Sequence, residues 1–132
     1  MRTLCFIIPA MAMWAVAAFA FNPAHWIHMK GGTWDPAPGA MAEFEGALRP
    51  ALTPAAQNRG RLPQWDEYRF QYQGRTTLLG RQFVYVNGFC NHEGRDLTHD
   101  WVTMLDGGAC YFSAKYDPTT KRIYDLEVNG VA

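Results

Sequence analysis

The stretch Asp66–Gly74, DEYRFQYQG, decides the fold. Tyr68, Phe70 and Tyr72 alternate with Arg69 and Gln71, the period-two pattern of a strand with one buried face. Three later stretches repeat the signal. In Arg81–Cys90, RQFVYVNGFC, the alternation persists, but both faces are apolar or aromatic. In Ala109–Pro118, ACYFSAKYDP, Cys110, Phe112, Ala114 and Tyr116 alternate with Tyr111, Ser113 and Lys115. An Asp-Pro turn, YDPTTKR, leads into RIYDLEVNG, where Tyr124, Leu126 and Val128 oppose Asp125 and Glu127.

Upstream the period changes. Asp35-Pro36 reads as a helix start, since Asp accepts first-turn N–H groups and Pro fits the first helical position. Met41, Phe44, Leu48 and Leu52 then recur at helical spacing, and Pro50 and Pro54 are expected to end the helix. One amphipathic helix followed by at least four strands implies an α+β domain, with the helix packed on an antiparallel sheet in a cystatin-like arrangement. The domain is placed at residues 39–132. Residues 21–38, rich in Pro, Gly and Trp, read as an irregular N-terminal arm.

The first twenty residues indicate export. Arg2 precedes an uncharged run, Leu4–Ala20, that closes on Ala18-Phe19-Ala20, a small-x-small pattern for signal peptidase. The reading is a secretory signal peptide over residues 1–20, cleaved after Ala20, which places the domain in the periplasm or outside the cell. The alternative is an uncleaved anchor, the one route by which the sequence implies a membrane. Without Arg2 the chain has 11 basic and 12 acidic residues. Such a balance gives no basic face for nucleic acid and no polybasic membrane patch.

Cleavage also removes Cys5 and leaves Cys90 and Cys110. Two cysteines in an oxidising compartment are expected to form a disulfide. The bridge would bring the end of one strand beside the start of the next, so residues 91–108 must leave the sheet and return. Trp101 and Leu105 are the expected anchors of this excursion, and Gly107-Gly108 its turn.

At this point the strand motifs resemble a family. RFQYQG, FVYVNGFC, LDGGACYFSAKYDP and the terminal LEVNG look like those of small exported bacterial proteins of unknown function. The resemblance spans residues 65–131. It implies a fold and carries no activity or catalytic residue.

Several clusters admit chemistry. CNHEGRDLTHD, residues 90–100, groups Cys90, His92 and His99, but their spacing is loose for zinc, and a bridged Cys90 neither ligates nor attacks. His25, His28 and Met29 carry donors suited to copper on an arm without fixed geometry. Asp106-Gly107-Gly108 could cradle an anion, but the glycines suit a sharp turn better. Asp66 and Glu67 point to opposite faces, while Asp125 and Glu127 share an outer one. No metal, cofactor or catalytic residue is assigned.

Parity identifies a binding surface instead. With Tyr68, Phe70, Val84, Val86, Phe112 and the other inward residues against the helix, the outer face carries Phe83, Tyr85, Phe89 and Tyr111 within a rim that includes Arg69 and Lys115. A solvated sheet face would be polar throughout, so these rings require either a partner or a cover from the arm or the excursion. The reading is a non-enzymatic binding, inhibitor or accessory module for a protein or small ligand of the cell envelope. A small enzyme or metal protein centred on residues 90–110 is the alternative.

Overall fold

The computed structural model describes residues 21–132. The expected signal peptide lies outside the described residues. One helix, α1 (Pro38–Ala55), packs on a five-stranded sheet of order β1-β2-β3-β4-β5. The strands are β1 (Trp26–His28), β2 (Arg69–Thr76), β3 (Gln82–Phe89), β4 (Tyr111–Asp117) and β5 (Arg122–Val128). The fold is α+β, and the pairs from β2 to β5 are antiparallel.

The helical stripe forms the core with the inward strand face. Met41, Phe44, Leu48 and Leu52 join Phe70, Val84, Val86, Phe112, Ala114 and Tyr116 in one buried cluster. Phe44 stacks on Tyr116 with ring centroids 4.8 Å apart. Each such side chain contributes about 1.5–3 kcal/mol by leaving water. Register holds the set on one face: Tyr72 lies opposite Val86, Val86 opposite Ala114, and Gly88 opposite both Phe70 and Phe112. Gly88 is glycine for space, because a Cβ there would sit 2.2 Å from the Phe112 ring.

Four expectations need correction. The helix begins at Pro38 behind Ala37, not at Asp35-Pro36; proline still takes an opening position. Pro50 and Pro54 lie inside the helix and do not end it. Both are exposed, as is Gly46 four residues before Pro50, so carbonyls deprived of an N–H partner can meet water. The arm is not wholly irregular. Its residues Trp26–His28 form β1, paired parallel with β2, so the sheet is mixed. Trp26 enters the core and stacks on Phe70 at 4.2 Å.

The fourth correction concerns β5. Its register shifts opposite Ser113–Lys115, where Asp125 adopts φ 49°. This bulge reverses the parity of the strand's first half. Ile123 faces the core with Leu126 and Val128, while Tyr124 pairs with Lys115 and turns outward.

Candidate functional site

The outer sheet face is covered at one end and open at the other. The cover is the excursion between β3 and β4. Cys90 and Cys110 close its base as a disulfide, with Cα atoms 5.1 Å apart and the Cys90 N–H donating to the Cys110 carbonyl at 3.0 Å. Gly107 and Gly108 turn the returning chain at φ 91° and 63°. A Cβ on Gly108 would meet the Arg59 carbonyl oxygen at 2.3 Å, so the position requires glycine for both space and dihedral.

Gln71 pins the middle of the excursion. Its side chain is fully buried, although it points away from the helix-facing core. Its Nε2 donates to the carbonyls of Leu97 and Asp100, at 3.0 and 2.6 Å. Its Oε1 accepts from the Val102 N–H at 2.9 Å and from Asn87 Nδ2 at 3.2 Å. Two donors and two acceptor sites are thus all used. Asn87, directly opposite Gln71, also donates to the Val102 carbonyl at 2.6 Å. Val102 is therefore tied to the sheet through both its backbone groups, and its side chain lies on Phe89 and Tyr111. Farther along, Asn129 Nδ2 donates to the carbonyls of Met104 and Asp106.

Phe89 and Tyr111 are thus seated under the excursion, with Leu97, Ile27 and Cys110 around them. Leu105 is 99% exposed, and Val102 is the anchor in its place. Arg69 donates to the carbonyls of Asp66 and Tyr68 and meets His25 Nδ1 at 3.2 Å. It braces β1 against β2 and is not part of the open surface.

The open end keeps Phe83, Tyr85 and Lys115 half-buried and adds Gln73 and Arg75 of β2, with Trp101 of the excursion beside them. The Arg75 guanidinium lies 4.1 Å from the centre of the Tyr85 ring and 5.4 Å from that of Trp101, and the two rings meet edge to face at 5.6 Å. Gln73 Oε1 accepts from Arg75 Nε at 2.9 Å and fixes that stack. Lys115 Nζ sits between Phe83 and Tyr124, 5.6 and 5.9 Å from their centres, and pairs with Asp125 at 3.0 Å. Two grooves flank Thr103. One, about 180 Å³, is lined in part by Tyr85, Asn87, Met104, Ser113 and Asn129. The other, about 210 Å³, lies between Tyr85, Asn87, Trp101 and Arg75.

The clusters considered for chemistry resolve into local structure. Thr98 donates through both its N–H and its hydroxyl to Asp96 Oδ1, which holds the Asp96 carboxyl below the usual carboxylate range. His92 lies edge-on to Phe89. In the arm, Met29 is buried while His28 is exposed beside Asp35 at 3.4 Å, so the two donors do not converge. Glu67 takes both arms of Arg61. Among the described residues, no group of three or more His, Cys, Asp or Glu side chains is arranged to hold a metal ion.

Arg75 escapes the sequence reading because the first strand pattern is followed only as far as Gly74, although Arg75 continues the outward parity of Gln71 and Gln73. Trp101 is expected as an anchor of the excursion, not as a wall of the groove. The signal available for Gln71 and Asn87 was chemical: two neutral amides on the outer face, the second between the aromatic Tyr85 and Phe89 of its own strand. No family model, curated protein or solved structure matches this chain.

Proposed function

We propose that the chain is an exported, non-enzymatic binding module that captures a protein segment or small ligand in the cell envelope, as an inhibitor or accessory factor. In this reading it belongs with the uncharacterised exported proteins that its strand motifs resemble, and it works in the periplasm after cleavage behind Ala20. The Cys90–Cys110 disulfide fits an oxidising compartment. Among the described residues, no helix is long and apolar enough to cross a membrane.

The observation that carries the proposal is the Arg75–Tyr85–Trp101 stack beside the two grooves. Rings and a guanidinium offer flat contact area at small entropic cost, the composition enriched at recognition surfaces. The groove walls supply amides and hydroxyls from Asn87, Thr103, Ser113 and Asn129. Such groups orient a ligand by hydrogen bonding and do not exchange protons near neutral pH.

The test replaces Tyr85 and Trp101 with Ser in the protein recovered from the envelope. Capture of envelope components by immobilised protein should fail while the melting temperature stays within a few degrees of wild type. Undiminished capture by the folded double variant would remove the groove from the function. Mass spectrometry of the same preparation tests export: Phe21 at the N-terminus supports it, and intact Met1 in the membrane fraction opposes it.

A further inference from the structure

The opposite end of the sheet from the disulfide carries a second feature. The β2–β3 turn is Thr77-Leu78-Leu79-Gly80, closed by the Thr77 N–H donating to the Arg81 carbonyl and the Gly80 N–H to the Thr77 carbonyl. Gly80, at φ 85°, allows the tight return. The turn is well formed, yet it presents Leu78 and Leu79 at 107% and 97% exposure. Nothing in the turn geometry requires leucine, and polar residues are the usual choice at such sites.

Topology gathers cations behind these leucines. Arg75 and Arg81 flank the turn in sequence, and the β4–β5 turn beside it brings Lys121 and Arg122. Arg81 pairs with Asp117, and Lys121 with Glu43 at 3.3 Å. Among the described residues, Arg75 and Arg122 form no ion pair with a carboxylate. A cleft of about 460 Å³, lined by Arg81, Asp117, Thr120, Arg122, Ile123 and Tyr124, opens at this same end. The chain as a whole is neutral, so this end is a local positive excess.

We infer that the β2–β3 turn docks on an anionic lipid surface, with Leu78 and Leu79 entering the headgroup region and the Arg81–Arg122 cleft receiving a lipid phosphate. A convex tip with two side chains in open water offers a protein partner little area unless that partner has a matching socket. A bilayer accepts a convex apolar tip without shape complementarity, and its negative surface attracts the cationic collar. The interaction shares only Arg75 with the groove, whose guanidinium lies on Tyr85 and Trp101. The sequence hides the collar because its four cations come from two separate hairpins.

The test uses the full chain in the N-terminal form recovered from the envelope, with vesicles of phosphatidylcholine alone or mixed with phosphatidylglycerol. Hydrogen exchange of the peptide covering 76–82 gives a local reading that residues 1–20 do not supply. The mixed vesicles should slow exchange there, and phosphatidylcholine alone should not. Leu78→Ser with Leu79→Ser should abolish that protection and weaken the turn-dependent association at least about tenfold, as expected for removing two inserted aliphatic side chains. An unchanged melting temperature will confirm that the variant folds. Arg122→Gln should weaken the protection, and added salt should do the same for the wild type. The inference is overturned by unchanged exchange at 76–82, by equal protection with neutral vesicles, or by protection that survives the double serine variant. Protection that grows with protein concentration in the absence of lipid would also overturn it, by assigning the tip to a second copy of the chain.

Discussion

Replacing Gln71 with Leu tests whether one amide holds the cover on the outer face. Leucine approximates its volume but supplies none of its four hydrogen bonds. Two of the groups left behind reach water: Asp100 is exposed and Leu97 half-buried, so their carbonyls can be hydrated. The Val102 N–H, on a residue only 3% exposed, is harder to satisfy, whereas Asn87 lines both grooves and keeps its bond to the Val102 carbonyl. A stranded buried polar group costs about 1–3 kcal/mol, which sets the scale of the loss. Lifting Val102 off the sheet relieves that penalty but uncovers Phe89 and Tyr111, at about 1.5–3 kcal/mol for each such ring fully exposed, a loss of similar size. Urea unfolding should therefore show the loss by either route, and hydrogen exchange across 97–105 should rise well above wild type. A second variant gives the sign of the electrostatics. In Gln71→Glu the carboxylate would face the Leu97 and Asp100 carbonyls, so its folded pKa should rise above its unfolded value. Its destabilisation should then grow as pH rises above about 4, the ordinary range for Glu. If Gln71→Leu stays within about 0.5 kcal/mol of wild type, the scale of ordinary surface substitutions, and the Val102 amide keeps its protection, the amide does not hold the cover.

Other perturbations probe separate parts of the fold. Gly88→Ala should destabilise by roughly 1–3 kcal/mol in urea, since its Cβ would press the buried Phe112 ring from 2.2 Å; a smaller effect would show that the ring can move. Replacing Cys90 and Cys110 together with Ala should cost about 3 kcal/mol for a loop of this length, whereas two free thiols on titration of the native protein would deny the bridge. Burial works against the charge of Asp117, but N–H groups of Thr120 and Thr119 and the Arg81 guanidinium outweigh it and lower its pKa. Its stabilisation is therefore present above the unfolded value and is lost as pH falls through the lower folded one. Asp117→Asn should flatten that part of the acid limb in a melting-temperature profile, and an unaltered limb would assign the dependence to other groups.

The sequence is most legible where one physical rule dominates. Met41, Phe44, Leu48 and Leu52 obey the helical period because all four must reach one core, and Phe70, Val84, Val86, Phe112 and Tyr116 obey the strand period for the same reason. The rule loses its hold where a single residue resets the count. The bulge at Asp125 moves Tyr124 to the outer face and Ile123 to the inner one, and alternation alone does not signal it. β1 is only three residues long and sits between Pro- and Gly-rich neighbours, so its strand character depends on pairing with β2, a partner more than forty residues away. The rings of the outer face were visible as an anomaly, but whether they sit under a cover depends on Gln71 and Asn87 meeting Val102. Those contacts join segments that no local period relates. Phe89 serves the cover alone, Tyr111 packs under it and also lines the groove beside Tyr85, and Phe83 remains on the open side, a division set by how far the excursion reaches.

That reach determines what kind of binding the groove can support. The excursion is held at its base by Cys90–Cys110, at its middle by Gln71 and Asn87, and near its return by Asn129 on the Met104 and Asp106 carbonyls. The wall formed by Trp101–Met104 is thus fixed from both sides before any ligand arrives. Ordering a free loop of several residues would oppose association, because each backbone residue fixed costs about 1–2 kcal/mol. Here the disulfide and the buried amides have ordered it during folding, so that cost does not fall on binding. Modest grooves of about 180 and 210 Å³ can therefore hold a ligand without a large contact area. The same reasoning couples the two ends of the outer face. Loosening the excursion at Gln71 should weaken capture at Tyr85 and Trp101 even though Gln71 does not line either groove. A Gln71→Leu protein that stays folded, shows a mobile 97–105 segment and still binds with wild-type affinity would show that the groove wall is dispensable. Recognition would then have to rest on Arg75, Tyr85 and the strands alone.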